Sequence, residues 1–355
     1  MDFEFSEDQI RLRDSVRQML AREHAFELQQ AILESAHGHS QKLWRLLAEL
    51  GVFGLGLPAD AGGYGGPIEI MLVMEELGRA LVLEPFMSTV VLGGGLVRSY
   101  GTVAQRARLL PKIATGNLRL ALAHQEAGAR YVLDPVATLA RRGKGAYLLS
   151  GTKAGVLDAP LADLLIVSAR DDAAGGLSLF MLEPGVAGVS WTTYRTQDGR
   201  SVADLVLDDV RLPTAARLGP PGVALTALEQ SVDCALAALC AEAVGAIEAV
   251  TDAVMQPELF LTATQAKAMS YLATGRCRER DRFERRRALA AAKAFVGKAA
   301  RHIGQRTAQF QNDRGEAAGL MISQYCKRLN MINATFGDPD HHVGAFSDLL
   351  RAESS

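Results

Sequence analysis

The chain has 355 residues, 48% of them hydrophobic, with 38 basic and 40 acidic side chains and a formal net charge of -2. Such a length can bury a sizeable core divided over two or three subdomains. The balanced charge gives no field that would draw nucleic acid or an acidic membrane, so a soluble globular protein without polyanion binding is expected.

In Met1 to Gln18 charged and apolar residues alternate, with no basic stretch leading into an apolar one, so no secretory signal is read. From Ser6, a residue suited to a helix N-cap, Ile10, Leu12, Val16, Met19 and Leu20 recur near helical spacing, and similar runs cover Gln41 to Leu50 and Ile68 to Leu81. At Leu118 the pattern changes to short apolar runs rich in Val, Leu and Tyr. They are separated by RRGKG, LDAPLAD, DDAAGG, EPGVAG and TQDGR as far as Pro213, which predicts strands joined by turns. Beyond a Gly/Pro linker, Leu218 to Gly222, alanine-rich helical patterning returns over Ala224 to Val250 and Thr262 to Gln311.

The expected organisation is therefore α+β with segregated elements: a helical domain over 1–117, a β domain of barrel or sandwich type over 118–217 and a helical bundle over 218–355. No charge-free apolar run is long enough to span a bilayer. Cys234, Cys240, Cys277 and Cys326 lack paired CxxC spacing and read as buried free thiols in a reducing cytoplasm.

Five phrases carry a resemblance: LWRLLAELGVFGLGLPADAGGYGG, EELGRALVLEP, LLPKIATGNLRLALA, GAYLLSGTKAGVLDAPLADLLIVSAR and DLVLDDVRLP. Taken together the chain resembles the acyl-CoA dehydrogenase family. Its closing segment, CKRLNMINATFGDPDHH, is similar to that of a subgroup that includes the small subunits of bacterial pimeloyl-CoA dehydrogenases. The resemblance implies FAD-dependent oxidation of an acyl-CoA thioester to its 2,3-enoyl form, with electrons passed to electron-transfer flavoprotein.

That chemistry needs a carboxylate to take the α-proton while the β-hydride goes to the flavin. The family takes its glutamate from a Glu-Gly in the closing segment or from an early position in the first C-terminal helix. Here those places look like Phe336, followed by Gly337, and Ala235, neither of which can accept a proton. Asp233 and Asp338 are the carboxylates near enough to substitute, and each also reads as a helix-start or turn residue.

The flavin positions implied by the family are eroded in the same way. Its Arg-x-x-Phe-Gly phrase is represented by MQPELFLTATQAKAM, with no guanidinium for the pyrophosphate. Its Gln-x-x-Gly-Gly is represented by Gln309 to Asp313, which keeps the glutamine and loses the glycines. Its Thr-Glu-Pro phrase corresponds to Gln125, Glu126 and Ala127, and Arg130 follows. Gln125, Arg130 and Gln309 are the candidate cofactor contacts, with a solvent-facing strand edge as the alternative for the first two; Lys153 reads as a turn residue.

Other signals are read structurally. Gly62, Gly63, Gly65 and Gly66 lack the following GK[ST] of a phosphate loop. His37 with His39, and His341 with His342, lack metal-ligand spacing. The run Arg276 to Arg287 is interspersed with acids, as on a solvated helix or an interhelical connection. Two functions remain: a self-sufficient dehydrogenase with a substitute base, or a degenerate or non-catalytic subunit completed by a second acyl-CoA dehydrogenase subunit in a mixed oligomer.

Overall fold

In the computed structural model, residues 4–35, 38–310 and 315–353 are described. The readings at His37 and at Gln311 to Asp313 lie outside them.

The chain separates into two compact units, each discontinuous in sequence. The first comprises Met1–Leu50, Gly65–Glu84 and Asp233–Ser355. It opens with α1 (Glu7–Glu23), where Ser6 accepts from the Gln9 N–H and Gln9 returns a bond to the Ser6 backbone, a complete capping box. Then follow α2 (Phe26–Glu34), α3 (Gln41–Glu49) and α4 (Pro67–Arg79), which lies against α7 (Leu225–Val254).

Two glycines fix that crossing. A Cβ on Gly78 would stand 2.0 Å from the Glu242 carbonyl oxygen, and one on Gly245 would stand 1.8 Å from that of Glu75. Backbone meets backbone, so neither position admits even a methyl group. The remaining helices are α8 (Pro257–Arg276), α9 (Arg282–Ala308), α10 (Glu316–Ala334) and α11 (Pro339–Glu353), numbered past two helices of the other unit. The single helical run expected over Thr262 to Gln311 is thus broken near Cys277 to Asp281, where Asp281 caps α9 through the Phe283 and Glu284 N–H groups.

Buried ions cross-link this unit. Arg328 of α10 is 1% exposed; it donates to Glu242 Oε1 at 2.9 Å and to the Leu81 and Val82 carbonyls at 3.3 and 2.9 Å. These last two carbonyls follow α4, so one guanidinium ties α10 to α7 and to the chain leaving α4.

The second unit comprises Gly51–Tyr64 and Pro85–Val232. A π-helical stretch, Met87–Gly94, continues into α5 (Gly95–Tyr100), and α6 (Val103–Ala114) follows. The strands are β1 (Leu120–Ala123), β2 (Leu139–Arg142), β3 (Ala146–Leu157), β4 (Leu164–Asp171), β5 (Gly176–Leu182), β6 (Val189–Arg195), β7 (Ser201–Pro213) and β8 (Arg217–Leu218). They form one eight-stranded sheet in the order β6-β7-β3-β2-β4-β5-β8, with β1 parallel to β4. Leu149, Val167, Phe180, Leu205 and Val210 are among the residues of its buried core. The class is α+β, as the alternation of periods indicates.

Helix α7 is long and apolar enough to cross a membrane by length and composition alone; 83% of its most apolar window is buried, the condition of a core helix. Asp233, Glu242 and Glu248 lie within α7, so it is not a charge-free run.

Candidate functional site

The segment after β1 carries Gln125 and Arg130, both exposed. Gln125 accepts through its backbone carbonyl from the Ala154 N–H at 2.8 Å. Between them Glu126 turns inward. Its Oε2 accepts from the Ala137 N–H at 2.6 Å, and its Oε1 from the Thr138 N–H at 3.0 Å and from Lys153 Nζ at 2.7 Å. One carboxylate therefore closes both ends of the loop 126–138 onto strand β3.

Lys153 is not a turn residue. It lies within β3, is 1% exposed, and also donates to the His124 carbonyl at 3.2 Å and Ser168 Oγ at 3.1 Å. Burial pushes the Glu126 carboxyl up, and the donors from Lys153, Thr138 and Ala137 outweigh it and hold it at about 2. Burial lowers Lys153 to about 8 against the pull of Glu126. Between those limits the pair is ionic.

His124 completes the network through Nδ1 and Ser168 Oγ, 2.8 Å apart. Burial, with the Lys153 charge, lowers it to about 4. A histidine so lowered stays neutral in the fold while the unfolded chain takes a proton below about 6.5. Stability from this group is present above pH 6.5 and is lost as pH falls toward 4, by up to about 3 kcal/mol. Unfolding midpoints of the protein and of His124→Gln should therefore converge as pH falls through that window; parallel curves would refute it.

The two places where a base was sought both fall in the first unit. Ala235 is fully buried in α7. Its neighbour Asp233 is 4% exposed and accepts from Arg285 Nε at 2.7 Å. Arg285 is itself 3% exposed, which corrects the reading of Arg276 to Arg287 as wholly solvated.

The closing turn is built with comparable care. Phe336 takes a left-handed φ of 54° and Gly337 a φ of 114°. A Cβ at Gly337 would meet His342 Nε2 at 2.5 Å. Lys293, 1% exposed, donates to the carbonyls of Ile332, Asn333 and Gly337 at 3.0, 3.2 and 2.9 Å. His342 Nε2 pairs with the Phe336 carbonyl at 3.1 Å. Asp338 starts α11, its Oδ1 accepting from the His341 N–H at 2.8 Å. Phe336 is thus held by its flanking carbonyls in a conformation a non-glycine residue rarely adopts.

Gln309 ends α9 and is exposed. Met255 to Met269, which includes the whole first half of α8, presents no arginine. The candidate contacts Gln125, Arg130 and Gln309 are all exposed, and the one cation within Met255 to Met269, Lys267, is paired with Glu248 at 2.8 Å. No group of three or more metal-ligating side chains occurs among the described residues.

Comparison with known proteins gives a consistent picture. The domain described as "Acyl-CoA dehydrogenase, N-terminal domain" matches residues 6–117, and "Acyl-CoA dehydrogenase, middle domain" matches residues 120–210. Isovaleryl-CoA dehydrogenase, mitochondrial, of Pongo abelii is 31% identical over 261 residues, 70% of this chain and 61% of that protein. The caffeyl-CoA reductase-Etf complex subunit CarC of Acetobacterium woodii is 28% identical over 257 residues, 70% of this chain and 68% of its own. The solved structure of a variant of the Tcur3481-Tcur3483 steroid ACAD superposes with a TM-score of 0.85 at 25% identity, over 98% of this chain and 99% of that one. By sequence, the chain spans about three fifths of the length of the isovaleryl enzyme and of other curated relatives.

Proposed function

Because the chain belongs to the acyl-CoA dehydrogenase family, whose members act on acyl-CoA thioesters with FAD, we propose that it is a degenerate subunit of a mixed oligomer. In that assembly a second acyl-CoA dehydrogenase subunit supplies the base and completes the flavin site. The observation that carries this reading is the closing turn: Lys293, His342 and Gly337 hold it in place, and the residue it displays is Phe336. A held phenylalanine accepts no proton. A subunit complex is in keeping with the two names joined in the Tcur3481-Tcur3483 structure, and electron transfer to an electron-transfer flavoprotein with the Etf complex that includes CarC. The substrate class is an acyl-CoA thioester, and the setting a reducing cytoplasm.

Purified alone, the chain should be colourless, because Met255 to Met269 brings no guanidinium to a pyrophosphate. Co-purified with a catalytic acyl-CoA dehydrogenase subunit, the complex should show flavin absorbance that bleaches when acyl-CoA is added. Stoichiometric FAD retained by the lone chain would refute the proposal and single out Gln125, Arg130 and Gln309 for substitution.

A further inference from the structure

All four cysteines are free thiols, and two of them converge. Cys234 is half-buried in the early part of α7 and Cys277 is buried at the C-cap of α8. Cys234 Sγ donates to the Cys277 carbonyl at 3.7 Å, and Cys277 Sγ donates to the Thr274 carbonyl at 3.3 Å. The neighbouring Cys234 thiol, together with burial, holds the proton on Cys277. The remaining thiols have different surroundings. Cys240 is 1% exposed, its thiol pushed by burial up to about 12. Cys326 donates to the Gly304 carbonyl at 3.4 Å and lies 3.7 Å from Thr307 Oγ1.

We propose that Cys234 and Cys277 are an oxidative modification site, closed to a disulfide by an oxidant of the peroxide class and reopened by a dithiol. A disulfide places its sulfurs about 2.05 Å apart, and Cys234 Sγ, already 3.7 Å from the Cys277 carbonyl oxygen, reaches that separation by side-chain rotation with a backbone adjustment. The half-exposed Cys234 is the attacking sulfur. As thiolate it attacks one peroxide oxygen; the O–O bond breaks, the departing hydroxide takes up a proton to become water, and Cys234 is left as the sulfenic acid. The Cys277 sulfur then attacks that sulfur, the S–O bond breaks, and the leaving hydroxide takes the Cys277 proton as a second water. Two electrons pass from the two sulfurs to one peroxide, and two thiols become one disulfide.

The modification falls at a sensitive point. Asp233, bonded to the buried Arg285, directly precedes Cys234 in α7, and the Arg278 charge acts on Cys277. The new bond would link the start of α7 to the end of α8 beside that ion pair.

The test exposes the full native chain to hydrogen peroxide, removes the peroxide, then unfolds the chain in the presence of the alkylating agent and maps it by mass spectrometry without reduction. The expected result is joint loss of two of the four alkylable thiols, with the Cys234 and Cys277 peptides found linked and both thiols restored by dithiothreitol. Cys240 and Cys326 should remain alkylable. In Cys277→Ser, dimedone should trap a sulfenic acid on Cys234. Because that variant could fail to fold, mapping of the unaltered chain decides. Cys234 and Cys277 staying reduced while Cys326 oxidises would overturn the proposal, as would a link that forms only in denaturant.

Discussion

Replacing Arg328 by methionine should lower stability by about 3 to 5 kcal/mol, the cost typical of leaving one member of a buried ion pair without its partner. The loss has two sources. Glu242 is 1% exposed and would keep a carboxylate in the core without the guanidinium at 2.9 Å, and the Leu81 and Val82 carbonyls would lose their donor. The double variant Arg328→Met with Glu242→Leu should recover much of the deficit, because the stranded charge is removed while volume is roughly kept. Chemical unfolding of the wild type, both single variants and the double variant closes the cycle. Additive single losses would show that the pair is not coupled as the geometry requires.

The second large effect is catalytic. Incubated alone with an acyl-CoA in deuterated water, the chain should exchange no α-proton, since a positioned general base contributes about 10²- to 10⁴-fold and Phe336 and Ala235 offer none. Phe336→Glu would put a carboxylate on the turn gripped by Lys293 and His342, and without a flavin-bearing partner it should still leave turnover absent. Were the unaltered chain to exchange, Asp338→Asn would be the cleaner of two diagnostic variants. Asparagine also caps helices, so the start of α11 survives. Asp233→Asn, by contrast, weakens the partner of the buried Arg285. Loss of exchange with flavin retained, in either variant, would identify the base and overturn the degenerate-subunit reading.

The order of elements could be read from the sequence because each rested on local physics. Ser6 and Gln9 spell a capping box, and the β segment's turns fall where glycine and aspartate cluster. Phe336 could be recognised as a non-base from chemistry alone. What could not be read was which charges turn inward. Lys153 sits beside Gly151 and Thr152, a turn-like phrase, and only the pairing of β3 with β7 and the inward Glu126 show it to be a core ion. Arg285 was lost in a charged run. Its spacing offered a usable signal: Arg285, Leu289, Lys293 and Gly297 recur every fourth residue and are all buried on α9. A charged side chain in register with leucine on a helical stripe calls for a buried acceptor, here Asp233 for Arg285 and three carbonyls for Lys293.

The backbone contact between α4 and α7 also bears on how the chain is made. During synthesis α1 to α4 emerge first, yet the carbonyl of Glu242 and the bare Cα of Gly245 that complete their packing arrive only after the whole β segment. The contacts internal to Gly51–Tyr64 and Pro85–Val232 can be made earlier, since all of their residues precede Asp233. Helix α4 is thus made early and covered late, leaving its backbone at Glu75 and Gly78 without its final cover until α7 emerges. A premature stop after Val232 would strand these helices while sparing the contacts within the other unit, and such a fragment should depend heavily on chaperones and be cut by proteases first in its N-terminal helices.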